Sequence, residues 1–245
     1  SLTSLRWFAA SVVFLRHAKL VPWLGVQGLT GVSFFFILSG FVIGWSARDE
    51  DTPRAFLVRR AARVVPSHLV GLILAVPVLA AADLLALPAD LLPSAVSATL
   101  VHAWIPDASY YFGGNSVSWS LSCEAAFYLA FPFVIGLIVE TARRSGVRLL
   151  ALAGGAVAVG IAVPLLVAPT VEGSVGYWAV YVNPAFRFVE FLLGVVLSRA
   201  LAAGRLPRVP LAAAVALAVA AYVIAGRLPV AAMLSATTLV PYALL

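Results

Sequence analysis

What most constrains this chain is its succession of apolar runs. Several reach the ~20 residues that a helix needs to cross a bilayer, and arginine-rich or Pro/Gly-rich breaks separate them. Backbone N–H and C=O groups inside a bilayer find no water, so such runs must satisfy their hydrogen bonds internally, as helices. The chain is 63% hydrophobic and only 11% charged, against about 25% charged in ordinary soluble domains. The expected fold is all-α, a polytopic transmembrane helix bundle, with residues 1–245 in one domain. Spans are expected near 5–24, 29–47, 64–83, 119–139, 149–167, 179–201 and 210–225, with an eighth starting near Pro229. The start at Ser1 and the stop at Leu245 inside an apolar run read as a fragment lacking further C-terminal spans.

The basic residues set the expected orientation. Arg48, Arg54, Arg59, Arg60 and Arg63 form the densest cluster, which the positive-inside rule places in the cytoplasm, together with the N-terminus. The expected location is the plasma (inner) membrane. Ala95–Ile105 is short for a span and reads as re-entrant or interfacial. That choice keeps Arg143, Arg144 and Arg148 inside as well. The net charge of +6 sits between apolar runs, so it is no nucleic-acid signature. Cys123 is the one cysteine, which excludes an intrachain disulfide and a thiolate metal cage.

Ionisable groups within spans are costly and mark function or a specific pairing. The first span carries Arg6, Arg16, His17 and Lys19. Arg6 and His17 are eleven residues apart, which returns to nearly one helix face, ~16 Å along the axis. Neutral histidine suits proton abstraction from a hydroxyl near pH 7; the blander alternative is a snorkelling arginine and a carbonyl-bonded imidazole. Arg60 and Arg63 share a face at i, i+3, and a forked guanidinium pair grips phosphate, although a plain topology signal would look the same. Glu124 lies in an apolar, aromatic helix and needs a partner such as His17 or an arginine. It would either orient the imidazole, as the acid of a hydrolytic triad does, or serve a structural ion pair. Ser120, four residues before it, is placed to share a hydrogen bond along the helix. Arg187 and Glu190 read as an internal pair. His68 and His102 read as structural or interfacial, and no HExxH-type spacing points to a metal.

Taken in order, these stretches resemble the acyltransferase-3 family of membrane acyltransferases over essentially the whole chain. The residues that carry the resemblance are Arg6 and His17 in LRWFAASVVFLRHA, then GVSFFFILSGFVI at 31–43, then Arg60 and Arg63 ahead of VVP. Ser120, Leu121, Glu124, Phe127 and Tyr128 follow in SLSCEAAFY, and then NPAFRFVEFLLGVVL. Two positions depart from the family pattern: Ser33 where an Asp is usual, and Ala125 where a second acid often follows the first. The resemblance implies about ten spans in the whole protein and an acyl-CoA donor, acetyl-CoA foremost, used as a substrate rather than a bound cofactor. It further implies a hydroxyl acceptor, often a sugar. His17 and Glu124 would be catalytic, with Arg6, Arg60, Arg63 and Ser120 binding substrate. Within the family, GVSFFFILSGFVIGWSARD and VSWSLSCEAAFYLAFP look most like actinomycete enzymes that acylate macrolide antibiotics or their sugars. O-acetylation of cell-envelope polysaccharide is the alternative in the same family. From another class, a proton- or anion-coupled transporter would use His17, Glu124 and Arg187 as a relay, without consuming acyl-CoA. The lack of inverted repeats weighs against it.

Overall fold

The structure is a computed structural model. It describes residues 7, 10, 11, 14, 30–48, 50–83, 89–167, 172–206 and 209–225. Among these residues the chain is helical without a strand, in keeping with an all-α membrane bundle. The helices are α1 (Thr30–Ser46), α2 (Pro53–Ala81), α3 (Leu91–Ala98), α4 (Ala108–Tyr111), α5 (Trp119–Arg144), α6 (Gly146–Val167), α7 (Val175–Tyr177), α8 (Pro184–Ala202) and α9 (Leu211–Ala225). A 3-10 turn at His102–Trp104 lies between α3 and α4, and a π turn at Trp178–Val182 follows α7. Helices α2, α5 and α6 are long and apolar enough to cross a membrane, while α1 and α9 are shorter apolar helices. Val70, Ile73, Leu74 and Val78 of α2, and Leu129, Phe133 and Leu137 of α5, are exposed. A stripe of that kind suits lipid.

Two expected boundaries differ, and the expected re-entrant or interfacial segment breaks into short pieces. The third span was expected to begin at Val64, but α2 begins at Pro53, so the arginines from Arg54 onward are helical. The start is encoded locally: Thr52 caps it, accepting from the Ala55 N–H at 3.2 Å, and proline suits a first helical position. The run between is built from good helix formers, Arg, Ala and Leu. The segment Ala95–Ile105 is not one helix. It breaks at Leu100, whose φ of 58° is left-handed, leaving α3 and the 3-10 turn too short to cross, as a re-entrant or interfacial segment would be. The sixth span was expected as one helix from Ala179, yet α8 starts at Pro184. Pro184 offers no N–H to continue a ladder and pushes Asn183 out of the helical region. Asn183 then caps the new helix, its Oδ1 accepting from the Ala185 N–H at 2.8 Å. Of the first expected span, Trp7, Ala10, Ser11 and Phe14 are described, all helical. Arg6, Arg16, His17 and Lys19 lie outside the described residues, as does the expected eighth span.

The chain divides into two compact units. One comprises Ser1–Ser46, Ile135–Thr170 and Phe188–Leu245. Its core joins Ile37, Ala156 and Leu193, with Val157, Ile161 and Leu197 packed on them. Here α1 and α8 touch backbone to backbone: a Cβ on Gly40 would strike the Phe191 carbonyl, and one on Gly194 the Ile37 carbonyl. Small residues allow such approach where lipid supplies no hydrophobic drive to associate. The Arg199 guanidinium donates to the Gly44 carbonyl across the same pair of helices. The other unit comprises Ala47–Val134 and Val171–Arg187. It holds α2, α3, α4, the first half of α5 and the π turn. The Trp178 Nε1–H donates to the Ala103 carbonyl at 2.9 Å, and the Cys123 thiol to the Val182 carbonyl at 3.2 Å.

Candidate active site

The candidate site lies in the second unit, where α2 packs on α5. Along α5, Glu124, Phe127, Tyr128 and Phe131 recur at i, i+3, i+4 and i+7, which places them on one stripe of the helix. Phe127 and Phe131 are buried. Phe56 of α2 meets Phe131 with ring centroids 5.0 Å apart and meets Tyr128 edge-on at 6.4 Å. Aromatic pairs in those arrangements hold two helices in a fixed register.

On this platform sits Arg60, one turn beyond Phe56. Its guanidinium carbon lies 5.3 Å from the Phe56 centroid and 5.8 Å from that of Tyr128. The cation is drawn to the electron-rich faces of the rings. The Tyr128 hydroxyl donates to Glu124 Oε2 at 2.7 Å. A cation, a phenol and a carboxylate therefore form one contiguous group, with the phenol touching both charges. Glu124 is half-buried, and the phenol is one of the groups that position its carboxylate. Such a group can hold a carboxylate in one rotamer, and a carboxylate so held can stabilise an imidazolium.

The other expected residues fall as follows. Arg63 is exposed, so the i, i+3 pair is divided: Arg60 turns inward to the rings and Arg63 outward. Arg59 forms an ion pair with Asp51 at 2.7 Å. Ser120 is half-buried and gives its proton to the Val117 carbonyl at 3.1 Å, the preceding turn of the chain, rather than to Glu124. Arg187 is buried, with its guanidinium 5.4 Å from the centroid of Tyr181, and Glu190 is buried as well. Arg6 and His17 lie outside the described residues. Among the described residues no group of three or more His, Cys, Asp or Glu side chains is gathered to hold a metal ion. The sequence reading missed the bond of Tyr128 to Glu124 and the platform under Arg60. Both had a signal, since Glu124/Tyr128 and Phe56/Arg60 are each spaced i, i+4, the neighbour spacing on a helix.

A family model described as an acyltransferase domain (acyltransferase-3) matches residues 1–245. The chain is 35% identical over 270 aligned residues to Acyltransferase MdmB from Streptomyces mycarofaciens, an alignment covering 100% of this chain and 68% of that protein. No solved structure matches it.

Proposed function

The chain belongs to the acyltransferase-3 family, and on that premise we propose that it moves an acyl group from acyl-CoA to a hydroxyl of a sugar or of a glycosylated, macrolide-like product. Family membership makes it a membrane acyltransferase. The observation that carries the finer reading is the carboxylate of Glu124, fixed by the Tyr128 hydroxyl beside the Arg60 guanidinium. In the proposed reaction His17 takes the proton of the acceptor hydroxyl, and Glu124 stabilises the imidazolium that results. The alkoxide attacks the thioester carbonyl. Collapse of the tetrahedral intermediate breaks the C–S bond, and the departing CoA thiolate takes the proton back from His17. Exposed Arg63 meets the anionic phosphates of CoA, while Arg60 balances Glu124. Arg6 orients the donor.

The test is acyl transfer by the purified full-length protein in detergent, with radiolabelled acetyl-CoA and a panel of macrolide glycosides and cell-envelope oligosaccharides, products being read by mass spectrometry. Acylated acceptor is expected. His17→Ala and Glu124→Gln should each lose on the order of 10²–10⁴ in rate, the usual contribution of positioned acid–base groups, while remaining folded. Unchanged turnover in His17→Ala removes its catalytic role. Failure to consume acyl-CoA with any acceptor, coupled with solute flux in proteoliposomes, returns the chain to the transporter reading.

A further inference from the structure

A second polar cluster lies in the same unit, apart from the residues above. His68 of α2, Ser97 of α3, His102 of the 3-10 turn and Ser118 at the head of α5 are all buried. His68 Nε2 lies 2.9 Å from the Ser97 carbonyl oxygen. A carbonyl only accepts, so Nε2 carries the proton, and Nδ1 of the neutral ring is a bare lone pair. The Ser118 hydroxyl gives its proton to the Asn115 carbonyl at 2.7 Å. Toward Ser97 Oγ at 3.2 Å and His102 Nε2 at 3.3 Å it then accepts. His102 therefore also carries its proton on Nε2, and its Nδ1 is bare too. Burial first, and His68 second, lower the pKa of His102 to about 4, so this ring stays neutral at ordinary pH.

Neither Nδ1 has a hydrogen-bond partner among the described residues. The same holds for two further buried atoms of this unit, Ser94 Oγ in α3 and Tyr111 Oη in α4. Native interiors satisfy nearly all such atoms with protein, water or ligand. The chemistry of these atoms narrows what could satisfy them. Bare imidazole lone pairs repel carboxylate and phosphate oxygens. They accept from O–H groups, and the two hydroxyls can donate as well as accept. This contrasts with the arginines on the same helix: His68 is eight residues from Arg60, ~12 Å along the axis. On α5, Ser118 is six residues from Glu124, ~9 Å along the axis.

We propose that His68 and His102 recognise the acceptor, each Nδ1 taking a hydrogen bond from a hydroxyl of a neutral sugar, at the end of the α2–α5 pair away from Arg60 and Glu124. The identity of the sugar as the acyl acceptor rests on the function proposed above; the hydroxyl-binding chemistry does not. Histidine-selective ¹⁵N NMR of the full chain in detergent tests this, because only three histidines are present. Two rings should show unprotonated Nδ1. Methyl β-D-glucopyranoside should move both of those resonances and inorganic phosphate neither. In turnover, His68→Gln and His102→Gln should raise the acceptor KM about five- to tenfold, as loss of a buried hydrogen bond does, with the KM for acetyl-CoA unchanged. If those variants fail to fold, the spectra of the unsubstituted chain decide. Nδ1 resonances indifferent to the glycoside, as for a site filled by water alone, or equally sensitive to phosphate, overturn the proposal. A chain that turns over while its Nδ1 resonances stay fixed refutes the acceptor site alone. A chain that binds the glycoside but never consumes acetyl-CoA refutes acyl transfer alone.

Discussion

Replacing Tyr128 with Phe removes one atom from the candidate site. The ring remains, so the edge contact with Phe56 at 6.4 Å and the cation–π contact with Arg60 at 5.8 Å both survive. What disappears is the 2.7 Å bond from the phenol to Glu124. A hydrogen bond to a charged group is worth about 1.5–3 kcal/mol. Glu124 is half-buried, and water can replace part of the lost bond, so the lower end of that range applies. About 1.5–2 kcal/mol corresponds to roughly a 10- to 30-fold change. If the tyrosine holds the carboxylate in its working rotamer, Tyr128→Phe should lower kcat/KM by that factor while acyl-CoA binding hardly changes and the melting temperature falls by only a few degrees. The assay is steady-state transfer from radiolabelled acetyl-CoA, with size-exclusion and thermal unfolding of both proteins in the same detergent. The reasoning fails if Tyr128→Phe stays within twofold of the unsubstituted protein while Glu124→Gln is inactive. The carboxylate would then act without the phenol.

Three further outcomes follow from particular contacts. Gly194→Leu should destabilise the protein by about 1–3 kcal/mol or more, the usual cost of overpacking, because its Cβ meets the Ile37 carbonyl rather than a movable side chain. Gly136→Ala, with nothing within 4 Å of the added carbon, should leave the melting temperature unchanged, and equal effects would refute the close packing. Stability should fall with acid: below pH 6.5 the unfolded chain protonates His102, whereas the folded ring does so only near pH 4. At 1.36 kcal/mol per unit this amounts to a loss of about 3 kcal/mol between those values, and in melts across that range His102→Gln should show a flatter dependence. Arg63→Ala should raise the KM for acyl-CoA without changing stability. Arg60→Ala should instead lower the melting temperature through loss of cation–π attraction, worth about 0.5–2 kcal/mol, and lower kcat; indistinguishable variants would undo the division of the pair.

Much of the helix pattern was legible because its signals are local. The apolar length of 119–139 and 149–167 foretold α5 and α6. The errors came from competing local rules. Hydropathy placed the start of the third span after the arginines, whereas the Thr52 cap and Pro53 start α2 before them. Hydropathy also carried the sixth span through Asn183–Pro184, where the missing N–H ends one helix and begins another. For the site, Glu124 stood out as a carboxylate in an apolar run, but the phenol one turn along that bonds to it did not. His68 and His102 carried no spacing signal, since the network that joins them passes through Ser97 and Ser118, distant in sequence.

The sequence by itself determined that this chain is a membrane-embedded helical acyltransferase, because bilayer length, charge placement and ordered motifs are all written in consecutive residues. Only the tertiary structure decided which side chains share an environment. Arg60 and Arg63 are equivalent in the motif, yet the packing of α2 on α5 turns one onto aromatic rings beside Glu124 and leaves the other exposed. Which of two neighbouring cations loses its water depends on what lies across the helix interface, and contacts between distant segments carry no periodic mark in the sequence.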